Sequence, residues 1–148
     1  MLQQIMPEQI PAFWEPIKET LRKALPAVPG ESENKFNNIL TKLLEGVMTC
    51  WVAYKVVDGE KVSNAIVLTI PIIDVLSETK SLLVYALATI NEESGSFQDY
   101  QEGILALKKY AKSTNCNRIV AYVDDEYLIN MIRRIGGITN YSFVSFSL

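Results

Sequence analysis

The chain has 148 residues, of which 49% are hydrophobic and 21% charged, a balance that fits one core-forming globular domain with no second domain and argues against disorder. A net charge of −3 with a pI near 5.0 supplies no basic stripe for a nucleic-acid backbone, although Lys108, Lys109 and Lys112 form a small local patch. The chain holds no histidine and only two cysteines, Cys50 and Cys116, which removes His-dependent triads and zinc hydrolase sites, and no metal is expected.

In chain order, residues 2–6 suit an edge strand leading into a helix. Phe13, Trp14, Ile17, Leu21 and Leu25 then follow one helical face, with Lys18, Glu19, Arg22 and Lys23 on the other. Pro11 and Pro16 suit a first turn better than an interior, so the regular helix is expected to begin near Glu15 and to end at Pro26 and Pro29-Gly30. A second amphipathic helix carries Phe36, Ile39, Leu40, Leu43 and Leu44, with Ser32 or Asn34 as its cap and Gly46 just past its end.

Residues 47–57 read as a strand, Asp58-Gly59 as a hairpin turn, and residues 62–70 as the partner strand. Pro71 lacks a ladder donor, so this strand is expected to stop or bulge there, with residues 72–76 as a bent extension. Both cysteines fall in or beside strands, where a buried free thiol in a reducing compartment is the simplest reading. No apolar run approaches the roughly 20 residues of a membrane span and no signal peptide is evident, so a cytoplasmic protein with no membrane partner is expected.

The organising unit is residues 81–123. An apolar run from Leu82 to Ile90 suits a strand covered on both faces, and Tyr100, Ile104, Leu107 and Ala111 give the following helix, residues 98–113, one buried stripe. Residues 118–123 form the next strand, and a right-handed crossover sets the two strands parallel and adjacent. Ligands in such sheets settle beyond the carboxyl ends of the strands, beside the first helical amides. Asp124, Asp125 and Glu126 then open a helix closed by Arg133, Arg134 and Gly136-Gly137, each charge complementing the nearer pole. Tyr141, Phe143, Val144 and Phe146 suggest a final strand.

The resulting order, β-α-α-β-β-β-α-β-α-β, resembles the GNAT acyl-CoA N-acyltransferases over essentially the whole chain, and the run from Leu105 to Val120 looks like that family's third helix and fifth strand. It also resembles the small divergent GNAT-like proteins of tailed bacteriophages, through Phe13-Trp14-Glu15-Pro16, Leu44-Glu45-Gly46 with Cys50-Trp51-Val52, and Tyr110-Ala111 with Asn115-Cys116. The resemblance implies an α/β fold: an antiparallel meander joined to a parallel β-α-β unit, with two N-terminal helices. It also implies acetyl-CoA or CoA as cofactor if the chain is active. By position alone, Ala88, Ile90, Ser96, Phe97, Gln98, Asp99 and Gln101 would lie against that cofactor.

The family's glycine-bearing motif, however, falls here on Ser96, Asp99 and Gln101, with Gly95 and Gly103 at the wrong spacing. Glu92, Glu93 and Asp99 add negative charge where a diphosphate would sit, and like charges about 4 Å apart repel by about 4 kcal/mol at an effective dielectric near 20, far less when solvated. The family's leaving-group tyrosine falls on Ile132 and the following Phe on Gly137, leaving Glu92, Tyr85 and Tyr127 as the remaining catalytic candidates. Two functions stand open: a GNAT-fold accessory without catalysis, and an acetyl-CoA-dependent N-acetyltransferase acting on a primary amine. A homodimer through the last strand or another sheet edge is compatible with either. For a phage-encoded chain the location would be the host cytoplasm or the virion.

Overall fold

The computed structural model describes residues 1–25, 27–90 and 95–148. Five strands form one sheet in the order β1 (Leu2–Ile5), β2 (Thr49–Val57), β3 (Glu60–Asp74), β4 (Thr79–Thr89) and β5 (Arg118–Ala121). The first four are antiparallel, and β5 runs parallel to β4. Between them lie α1 (Ile10–Ala24), α2 (Lys35–Leu44), α3 (Phe97–Ser113) and α4 (Glu126–Arg134).

Strand alternation divides the core into two layers. Cys50, Ile66, Leu68, Ala86 and Ala88 meet Ile10, Trp14, Ile17 and Leu21 of α1 and Ile39 and Leu43 of α2. Trp51 and Val67 point the other way, onto Leu107 of α3, with Val84, Leu87, Tyr110 and Ile119 around them. Both faces of β4 are thus covered, as its apolar sequence requires. On the α3 side, Trp51 Nε1 donates to Thr69 Oγ1 at 2.9 Å, and the Trp51 and Tyr110 rings meet edge to face at 4.9 Å.

Asp58 and Gly59 both hold positive φ, 50° and 81°, as the two-residue β2–β3 hairpin demands. At the end of α2, Gly46 (φ 73°) lets its own amide reach Leu43 O while Val47 N reaches Lys42 O. Asn115 (φ 59°) ends α3 in the same way, and Gly136 (φ 91°) ends α4, where Gly137 N donates to Ile132 O at 2.8 Å.

Four expectations are corrected. The helix predicted from Glu15 begins at Ile10, with Pro16 inside it, because burying Ile10 and Trp14 requires the first turn to be helical. Neither Ser32 nor Asn34 caps α2 by its side chain; Asn34 holds the cap position, and Ser32 Oγ accepts from the Asn34 amide instead. β3 runs through Pro71 to Asp74, because β2 ends opposite Thr69 and an open side tolerates a residue without an N–H. The bulges fall elsewhere, at Asn64 and Tyr85. Finally, residues 141–146 form no strand. Their apolar side chains are largely exposed, and among the described residues no strand pairs with them. Among the described residues no helix is long and apolar enough to cross a membrane.

Two glycines test this geometry. A Cβ on Gly137 would lie 2.2 Å from Ile132 Cγ2 and 2.9 Å from Ile132 O, whereas one on Gly103, inside α3, would meet nothing within 4 Å. Gly137→Ala is expected to cost about 1–3 kcal/mol and Gly103→Ala to stabilise by about 0.5–1 kcal/mol in urea unfolding. The thiols give a second test. Cys50 is fully buried and burial pushes its pKa up to about 12, whereas Cys116 is half-buried. Native protein treated with iodoacetamide near pH 8 is expected to be modified at Cys116 and spared at Cys50, as read by peptide mass spectrometry.

Candidate functional site

The site is built where β4 and β5 part. β5 pairs with residues 81–84 of β4, and its register ends at Val84 opposite Ala121. The next residue, Tyr85, is the extra residue of a bulge: Leu68 faces Ala86 and Thr69 faces Val84. A bulge bends its strand. Beyond it β4 continues to Thr89 with β3 on one side and no strand on the other. The start of α3 follows β4 in the chain, and Tyr127 and Arg134 of α4 lie against it.

At α3 the local sequence satisfies its own helix end. Ser96, extended at φ −72° and ψ 164°, takes the cap position. Its Oγ accepts from the Asp99 amide at 3.2 Å and donates to Asp99 Oδ2 at 2.8 Å, while the Ser96 amide donates to the same carboxylate oxygen at 2.8 Å. Lys55 Nζ, from β2, stands 3.0 Å from Asp99 Oδ2. Partial burial alone would raise the Asp99 pKa, but the Ser96 amide and hydroxyl and the Lys55 ammonium outweigh it and hold the carboxyl below its ordinary value. The negative charge sits at the positive pole of α3.

The neighbouring side chains close in. A Cβ on Gly95 would lie 3.4 Å from Tyr100 Cε2 and 3.7 Å from Asp99 Oδ2, so the one glycine at this end already faces the chain's own groups. Tyr127 of α4 donates its hydroxyl to Gly95 O at 3.3 Å, and the Arg134 guanidinium lies 4.4 Å from the centre of the Phe97 ring. Burial pushes the Tyr100 phenol up, and the nearby Tyr127, Asp125 and Asp99 reinforce the shift against a backbone bond to Gly95. Both phenols lie beside Gly95, and a raised pKa keeps Tyr100 protonated near neutral pH. Asp125 caps α4 by accepting from the Leu128 amide at 2.9 Å.

The sequence-predicted residues divide accordingly. Ser96, Phe97 and Asp99 gather at the opening, and Tyr127 joins them. Gln98 bonds Glu102 along the exposed side of α3, and Gln101 is exposed. Ala88 is buried under α1 and α2, and the Ile90 amide is taken by Asn64 O at 2.9 Å. Tyr85 packs with the α1–α2 core, away from the α3 end. Glu92 lies outside the described residues. Ile132 packs against Gly137 under the end of α4. Three residues at this end carry no site role in the sequence reading: Tyr100 reads as part of a buried helical stripe, Arg134 as a charge at a helix end, and only the hydrophilic position of Lys55 in a strand hints at a partner.

The architecture matches solved structures along its whole length. One is an aminoglycoside acetyltransferase from an uncultured soil metagenomic sample, solved in complex with sisomicin (14% identity, 100% of this chain and 94% of that one, TM-score 0.70). The fold is that of the GNAT acetyltransferases. The GNAT family acetyltransferase of Staphylococcus aureus matches with 12% identity over 100% of this chain and 98% of its own, at a TM-score of 0.63. A protein of Clostridium acetobutylicum described as a predicted acetyltransferase, solved with acetyl-CoA, matches with 14% identity over 99% of this chain and 95% of its own, at a TM-score of 0.66. No family model and no curated protein matches the sequence. A diphosphate brought to the first amides of α3 would meet the Asp99 carboxylate, which the Ser96 amide, the Ser96 hydroxyl and Lys55 already hold, so this carboxylate does not suit it.

Removing this cap should be measurable without any ligand. Asp99→Ala is expected to lower stability by about 1 kcal/mol, and Ser96→Ala by a similar amount. The double variant should fall short of their sum, because the two residues share the same bonds. Since the folded pKa of Asp99 lies below its ordinary 3.8, the stability from its ionised form is full above that value and is lost as pH falls through the folded pKa. The gap between wild type and Asp99→Ala, followed by thermal melts, should therefore close only in acid.

Proposed function

We propose that this chain is a GNAT-fold protein of the phage-like type that does not use acyl-CoA and acts as a binding or structural accessory, in the host cytoplasm or on the virion. The observation that carries the reading is the Asp99 carboxylate, held at the positive end of α3 by the Ser96 amide, the Ser96 hydroxyl and Lys55. A ligand phosphate would have to displace this group or sit beside it, and either course sacrifices charge-assisted bonds or sets like charges together. Ile132, in place of a proton donor to the leaving thiolate, adds support, as does the use of the Tyr127 hydroxyl on Gly95 O.

A second reading, an acetyl-CoA-dependent N-acetyltransferase acting on a primary amine, is favoured by one specific feature. The open side of β4 beyond Tyr85 leaves room for an extended ligand beside residues 86–89, and direct transfer depends chiefly on positioning. Isothermal titration of the full chain with acetyl-CoA and with CoA separates the two. The accessory reading expects no heat of binding and no thermal shift at millimolar cofactor, whereas micromolar affinity for either would overturn it.

A further inference from the structure

A cavity lies where β1 leaves the sheet. β1 pairs with β2 only as far as Ile5 opposite Cys50; at Met6 and Pro7 the chain turns away toward α1, and Thr49 keeps a strand neighbour on its β3 side alone. The gap measures about 170 Å³. Ile5, Ile10, Leu43 and Met48 supply its apolar wall, and the exposed Met6 and Gly46 also border it. Tyr110 of α3 lines it as well, with its hydroxyl 3.1 Å from Thr49 Oγ1, and Thr49 is only 7% exposed. These two hydroxyls share one hydrogen bond, which leaves one O–H and further lone pairs for a third group.

We propose that this cavity binds an uncharged molecule of about six carbons carrying a single hydroxyl or carbonyl oxygen, its apolar body among Ile10, Leu43 and Met48 and its oxygen on the Thr49–Tyr110 pair. The size fits such a ligand, since an apolar cavity of about 150 Å³ takes benzene. The charge fits too. No charged side chain lines the cavity, so an anion or cation would be stripped of water without a counter-charge.

Water alone suits the space less well. At roughly 30 Å³ apiece about five molecules would fill it, and each needs about two to four polar partners. Few are on offer. The polar side chains on the cavity are the two hydroxyls and the Gln4 amide, while the Met6 amide is taken by Gln9 Oε1, the Met6 carbonyl by the Gln9 amide and the Met48 amide by Lys42 O. Tyr110 lies some four turns along α3 from Ser96, roughly 20 Å away, so the cavity is independent of whether the start of α3 accepts a coenzyme.

The chain's four methionines provide the test. Met6 and Met48 line the cavity, whereas Met1 and Met131 do not, so carbon-13 methyl spectra of the methionine-labelled full chain carry probe and control together. Phenol is expected to shift the Met6 and Met48 methyls saturably at millimolar concentration, with benzene binding about fivefold more weakly and butyrate, an anion no larger than phenol, leaving all four in place. Either hydroxyl alone can still donate. The informative variant is therefore Thr49→Val with Tyr110→Phe, which keeps both shapes and the ring against Trp51, and it should bind phenol and benzene alike. Should that variant lose its fold, the wild-type ranking of phenol, benzene and butyrate decides. Absence of a saturable shift at Met6 and Met48, equal shifts at all four methyls, benzene or butyrate bound as tightly as phenol, or a folded double variant that still prefers phenol overturns the proposal.

Discussion

The departure of β5 from β4 after Val84 sets the conditions for everything at the functional end of this molecule. While the two strands are paired, β4 is an interior strand with both faces and both edges covered. At Tyr85, directly after the four-residue ladder to β5 has ended, an extra residue enters β4 and bends it. From that point β4 has one edge covered by β3 and no strand on the other. Buried alanines at 86 and 88 keep this part of β4 close beneath α1 and α2, so the bend is held by packing on the far face.

The chemistry of the opening follows from what the chain does with the amides of α3. A helix start is electropositive and carries unpaired N–H groups. This chain answers both needs internally, with a serine and an aspartate three residues apart and a lysine reaching over from β2. Such a helix end is stable without a ligand, and that stability opposes binding of one. The overall fold and the local chemistry at the start of α3 are separable properties, since the first rests on the sheet and its helices and the second on Ser96, Asp99 and Lys55.

The sheet has a second unsatisfied feature at its outer edge. A four-residue β5 with an open side, and a run of aromatic residues without a layer to cover them, are two halves of one deficit. Among the described residues neither is relieved: Phe143 meets Tyr122, and no backbone hydrogen bond joins residues 138–148 to β5.

Much of this was legible in the residues. Helical spacing of Trp14, Ile17 and Leu21, the Asp58-Gly59 turn and the apolar run through Leu82 and Leu83 each depend on local periodicity or a single turn's steric demand, and each led to the right element. Asp99 likewise read as an acid near the start of α3. What sequence alone could not decide were the features that depend on neighbours far along the chain. Pro16 and Pro71 are tolerated because of what packs or ends beside them, and the bulge at Tyr85 exists only against the register of β3. The pairing of Lys55 with Asp99 joins two elements that no periodicity connects. Residues 141–146 have the composition of a strand without a ladder to make them one. Local conformational preference was written in the sequence; whether each strand had a partner, and each charge a counter-charge, was settled only when the elements came together in space.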